Sequence, residues 1–154
     1  MKVKRNKNMS MTIIILVCVF GSLFADKFFK NDSPFDERLQ NAAVQANQKC
    51  PVFLDRETRL DSTAAGTGKI FTYNYSLIHM TAQEVNATEL SSSLWPRFIK
   101  TIRTEPDLKT FRKNSVTMIH RYFDKNGEFI FDLTIRPEDY LAAVKDGEDV
   151  IKDK

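Results

Sequence analysis

"SVTMIHRYFDKNGEFIFDLTIR", Ser115–Arg136, is the stretch that decides the fold. Two runs rich in β-branched and aromatic residues flank Asp124-Lys125-Asn126-Gly127, whose side chains suit a tight chain reversal, so the spacing predicts a β-hairpin. The second run alternates: Phe129, Phe131, Leu133 and Ile135 fall on one face, and Glu128, Asp132, Thr134 and Arg136 on the other. Setting Phe123 opposite Glu128 brings Val116, Met118, His120 and Tyr122 onto the apolar face, which is the face expected to look into the core.

Upstream, "LDRETRLDSTAAGTGKIFTYNYSL" (Leu54–Leu77) predicts a second hairpin, with strands Thr58–Ala65 and Lys69–His79 around Gly66-Thr67-Gly68. A three-residue turn there sets Ala65 opposite Lys69, Asp61 opposite Tyr73 and Arg59 opposite Tyr75. Those four side chains then share one face, where a guanidinium can lie on a phenol ring and a carboxylate can accept a hydroxyl. Arg59, Asp61, Tyr73 and Tyr75 are therefore the candidate ligand- or partner-binding residues.

Helical periods occupy the rest. From Pro34 to Lys49, Phe35, Leu39, Ala42, Ala43 and Ala46 form one stripe, with Asp32 or Ser33 placed to cap and Pro51 to stop it. From Thr81 to Lys113, Val85, Leu90, Leu94, Phe98 and Ile102 recur at helical spacing, and Pro96 and Pro106 predict a division into three pieces. A last helix is expected over Pro137–Val150. The order α-β-β-α-α-β-β-α predicts an α+β domain: a four-stranded antiparallel sheet, made of two hairpins, with helices packed on one face.

Before this domain stands a basic stretch, "MKVKRNKN", followed by a continuous apolar run, Met11–Ala25. Positive n-region and apolar h-region are the layout of a secretory signal. The run is short for a span of about 20 apolar residues, yet Leu23 is bulky for the −3 position of a cleavage site, so cleaved signal peptide and uncleaved membrane anchor both stand. Bulky Val17 before Cys18 disfavours a lipid-modification box. Either way the positive-inside rule exports the domain, placing it in the periplasm or anchored to the inner membrane facing the periplasm. The organisation expected is a targeting segment at 1–25, a linker at 26–33 and one domain at 34–154.

Charge narrows the partners. The formal charge is +3, but Lys2, Lys4, Arg5 and Lys7 are the only charged side chains before Asp26, so residues 26–154 carry about −1. A near-neutral domain without aromatic residues interleaved among its bases is no nucleic-acid binder. Arg97, Lys100 and Arg103 recur every three residues and define a possible patch for an anionic surface.

Three stretches, "CPVFLDRETRLDS", "YNYSL" and "EPDLKTFRKNSVTMIHRYFDKNGEFIFDLTIRPEDY", resemble a group of small exported bacterial proteins of unassigned function. The shared pattern is P-x-x-x-D-x-x-T-R-L-D, then Y-x-Y-x-L, then a Y-x-D-x-x-G hairpin, over most of Asn47–Tyr140. The resemblance implies a bacterial envelope protein and a common fold, and it supplies no activity. It also implies a cysteine pair at two places that here hold Arg103 and Tyr140.

Reaction chemistry is sparse. Gly68-Lys69 lacks the upstream glycine, the following Ser/Thr and the strand–loop–helix setting of a phosphate loop. His79 and His120 have no ligand partner at metal spacing, so neither metal nor cofactor is expected. Cys50 is the only cysteine after the apolar run and has no internal disulfide partner. The reading is a non-enzymatic envelope protein that binds a protein or an envelope component, with the membrane contacted through residues 1–25 if these are retained. The alternative is a small hydrolase pairing Asp61 or Glu57 with His120.

Overall fold

The computed structural model describes residues 34–142. The targeting segment, the linker with Asp32 and Ser33, and residues 143–154 lie outside the described residues. Helix α1 (Phe35–Asn47) buries Leu39, Ala42, Ala43 and Ala46 and carries Asp36 and Glu37 in its first turn, where the helix dipole favours anions. The five strands are β1 (Val52–Phe53), β2 (Thr58–Gly66), β3 (Ile70–Leu77), β4 (Thr117–Phe123) and β5 (Phe129–Ile135). Between β3 and β4 run α2 (Ala87–Thr104) and the short α3 (Lys109–Lys113), each preceded by a 3₁₀ turn; α4 (Pro137–Leu141) follows β5.

The strands form one sheet in the order β1-β2-β3-β4-β5. Both hairpins are present, but the sheet has five strands and is mixed, which corrects the four antiparallel strands expected. β3 and β4 pair in parallel, from Ile70↔Thr117 to Ser76↔Phe123. The helical connection carries the chain from the end where β3 finishes back to the end where it starts, and the Thr117 N–H meets the Lys69 carbonyl at 2.9 Å; such a crossover is what parallel pairing needs. Hairpin patterns do not carry that information, and two-residue β1 is too short to show a period.

Three further departures have local causes. α2 runs unbroken through Pro96. Burial of Leu90, Leu94, Phe98 and Ile102 contributes roughly 6–12 kcal/mol, which outweighs the ~3 kcal/mol cost of an interior proline; Pro96 and Ser92, one turn before it, are both exposed. α4 ends at Leu141, because Ala142 has ψ 132° and cannot continue a helix. In the second hairpin Met118, His120 and Tyr122 do share a face with Phe131, Leu133 and Ile135, paired as Met118↔Ile135, His120↔Leu133 and Tyr122↔Phe131. Phe129 instead is 56% exposed, since a register shift at Tyr122/Phe123 leaves Ile130 unpaired and sets Phe129 against Phe123.

Side-chain staples hold the layers. Asp36 accepts from the Gly68 and Lys69 N–H groups, each at 3.0 Å, tying α1 to a turn where both residues have positive φ. Asn47 takes the Thr63 N–H (2.6 Å) and donates to its carbonyl (2.8 Å). Asn47→Ala should cost about 1–3 kcal/mol in urea unfolding, since it leaves edge-strand groups unpaired; an unchanged midpoint would show the pairing to be idle. Asp124, buried in the hairpin turn, accepts from the N–H groups of Asn126, Glu128 and Ala82 at 2.7, 2.9 and 3.0 Å. Burial works to raise its pKa, but the backbone donors outweigh it and hold the carboxyl below its ordinary range.

Candidate functional site

All four candidates of the first hairpin lie on β2 and β3, yet the structure does not bring them together. Near the turn the register is Ala65↔Phe71 and Thr63↔Tyr73; past a bulge between Leu60 and Ser62 it becomes Leu60↔Tyr75 and Arg59↔Ser76. The three-residue loop is Thr67–Lys69, one position later than expected. The extra residue at Asp61 then changes which face each side chain takes. Leu60 turns inward, and Arg59 and Asp61 turn outward. Tyr73 and Tyr75 lie on the core face, each 6% exposed, so the cross-strand pairs Arg59–Tyr75 and Asp61–Tyr73 are corrected.

The inward face is an aromatic lattice. Tyr75 stacks on Tyr122 (centroids 5.0 Å apart) and Tyr122 on Phe131 (4.8 Å). Tyr73 lies parallel to His120 at 5.1 Å, and Phe98 of α2 covers His120 at 3.8 Å. His120 Nδ1 and the Tyr75 hydroxyl are hydrogen-bonded at 3.1 Å, while Nε2 is buried without a partner among the described residues. Burial raises the pKa of Tyr73, Tyr75 and Tyr122 and pushes that of His120 down to about 3. His120 is thus a neutral core residue. Asp61 points to the opposite face and Glu57 sits in the β1–β2 loop, so the Asp61/Glu57–His120 dyad is not assembled. Cys50 is half-buried, and burial, then the charge of Asp61, raises its thiol pKa, the wrong direction for a nucleophile.

The outward face has rows that cross the sheet. One comprises Phe53, Arg59, Ser76, Phe123 and Phe129, adjacent residue by residue in the strand registers. The Arg59 guanidinium carbon lies 6.0 Å from the Phe53 ring centroid, and Phe123 meets Phe129 edge-on at 6.2 Å. Arg59 Nε and Ser76 Oγ both donate to Asp61. The next row holds Ser62, Asn74, Arg121 and Asp132; Asn74 donates to Ser62 at 3.0 Å, and Arg121 grips Asp132 with two bonds of 2.8 and 2.7 Å. Such exposed ion pairs contribute no more than about 1 kcal/mol. Phe53 is 61% exposed, so the row carries a ring at each end, four strand spacings or roughly 19 Å apart.

Two of the helical bases, Arg103 and Arg112, serve the fold. Arg103 donates to the carbonyls of Asp139, Tyr140 and Ala142 at 3.0–3.2 Å, closing α4. Arg112 donates to the Ile102 and Glu105 carbonyls at 2.7 Å each. Lys100 is exposed and Arg97 half-buried. Phe53 and Phe129 were not legible as surface residues: the first stands in an isolated Val-Phe pair, and the second is redirected by the bulge.

The fold defines a two-layer α+β domain, helices on one face of a mixed sheet and, among the described residues, no element on the other. The chain belongs to the family described as a domain of unknown function, DUF8479, whose model matches residues 34–131. No curated protein matches it in sequence. Two solved structures share its fold. One is a pilotin from the Vibrio vulnificus type 2 secretion system, EpsS, at 12% identity, covering 68% of this chain and 90% of that one with a TM-score of 0.51. The other is a Pseudomonas aeruginosa protein provisionally classed as secreted, at 9% identity, covering 71% and 99% with a TM-score of 0.52.

Proposed function

We propose that this chain is a non-enzymatic, exported cell-envelope protein that acts by binding another protein or an envelope component through the bare face of its sheet. One observation carries the reading: the helices seal the only buried histidine into the core, whereas the opposite face presents Phe53 and Phe129 to solvent at the two ends of one row. Isolated exposed apolar residues are ordinary; two rings on one polar sheet face are the anchors a partner needs. The basic and apolar segments at residues 1–25 support export, with the domain in the periplasm or tethered to the inner membrane. A fold shared with a secretion-system pilotin fits that location.

The test is cross-linking and pull-down from cell envelopes of the native host with the full-length protein. Phe53→Ala combined with Phe129→Ala should lower capture at least tenfold. Surface truncations cost little stability, so Tm should move by no more than about 4 °C. Capture at the wild-type level by the double variant would refute the surface, and N-terminal mass analysis of the same sample would distinguish signal from anchor.

A further inference from the structure

The two edges of the sheet are finished differently. Along β2, β1 pairs with Arg59 and Leu60, and farther on the Asn47 amide binds both the N–H and the carbonyl of Thr63. A side chain there stands in for a missing strand. β5 has no outer neighbour among the described residues. Its sequence, FIFDLTI, holds no proline or lysine, the residues that usually blunt an edge. The unpaired Ile130 twists its start, leaving Phe131–Ile135 as a regular stretch.

The side chains beside that edge alternate in chemistry. The ring ladder Tyr75–Tyr122–Phe131 crosses three strands in register and ends on Phe131, which is only partly buried. On the other face Asp132 is exposed, and Arg121 beside it holds one side of that carboxylate, leaving its edge side to a partner. We propose that β5 accepts an extended segment of a partner protein as a sixth strand. The segment carries apolar side chains on alternate residues, continuing the ladder beside Phe131 and Leu133. Lysine or arginine on the intervening residues faces Asp132. This rests on the protein-binding reading above and names its place and the partner's chemistry. Strand addition draws affinity from main-chain bonds and selectivity from alternate side chains. A second copy is a poorer occupant, since two antiparallel β5 strands put both Asp132 carboxylates on one face, on a diagonal of roughly 7–8 Å in the register of fullest overlap of Phe131–Ile135.

Full-length protein in lipid nanodiscs should bind a labelled ten-residue peptide alternating valine and lysine at least tenfold more tightly than its valine–glutamate counterpart. Hydrogen exchange at β5 amides should slow at least tenfold on binding. Methylating alternate backbone nitrogens of the peptide should abolish binding, and Asp132→Asn should cut the lysine preference at least fivefold. Equal binding of the methylated peptide, unchanged β5 exchange, or β5 protection by self-association without peptide would each overturn strand addition. Envelope capture that depends on Phe53 and Phe129 would then still stand. Conversely, peptide binding at β5 with capture indifferent to both rings would leave strand addition standing and remove the sheet face.

Discussion

Tyr75→Ala is expected to lower the unfolding free energy by about 3–5 kcal/mol, the range for deleting a buried aromatic ring, while Arg59→Ala changes it by less than about 1 kcal/mol. The two residues sit one step apart in the β2–β3 register, Arg59 opposite Ser76 and Tyr75 opposite Leu60, and they face opposite ways. Tyr75 stacks on Tyr122, lies parallel to His120 at 5.9 Å and is bonded to His120 Nδ1; Arg59 is a half-exposed side chain held by Asp61 and Phe53. Tyr75→Phe keeps the ring and loses only the hydroxyl, leaving His120 Nδ1 without a partner at a cost of about 1–3 kcal/mol. Urea unfolding of the three variants decides the matter. Equal losses for Tyr75→Ala and Arg59→Ala would contradict the bulge at Asp61, because only the bulge separates their faces.

That bulge also explains which parts of the molecule could be read from residues alone. Helix α2 was legible because Leu90, Leu94, Phe98 and Ile102 recur with the helical period and all four are buried. The core face of β4 and β5 was legible because strand side chains alternate whatever the exact register, so a register displaced by two residues sets His120 against Leu133 instead of Phe131 and leaves it on the same face. An inserted residue is different: it inverts every later assignment, and its cause is remote. Asp61 is held outward by Ser76, fifteen residues away, and no local pattern in "TRLDS" announces that contact. Parallel pairing of β3 with β4 is likewise decided by how α2 packs back on the sheet. The candidate site failed for the same reason. Its four residues were correctly placed on one hairpin, but the tyrosines belong to the core and the charged pair to the surface.

Between pH 6.5 and about 3 the protein should lose stability through His120 alone, by about 3 kcal/mol at pH 4. The ring is 4% exposed, and burial moves its pKa from 6.5 to about 3. Above pH 6.5 the ring is neutral in both folded and unfolded chains, so it contributes no pH dependence. Below 6.5 the unfolded chain takes up a proton that the folded chain refuses, and each further pH unit favours unfolding by about 1.4 kcal/mol until the folded ring protonates near pH 3. Carboxylates add an acid-labile part of their own, with Asp124, held below its ordinary range, acting at the low end. The informative quantity is therefore a difference between variants. His120→Asn cannot titrate and keeps a polar group near the Tyr75 hydroxyl; it should be less stable than wild type at pH 7, having lost the stack with Phe98 and Tyr73. Its stability should fall less steeply with acid, so that the gap between the two proteins narrows by about 3 kcal/mol from pH 7 to pH 4. A gap independent of pH, measured by urea unfolding at both values, would mean that His120 titrates normally and that water reaches the ring the helices are described as sealing.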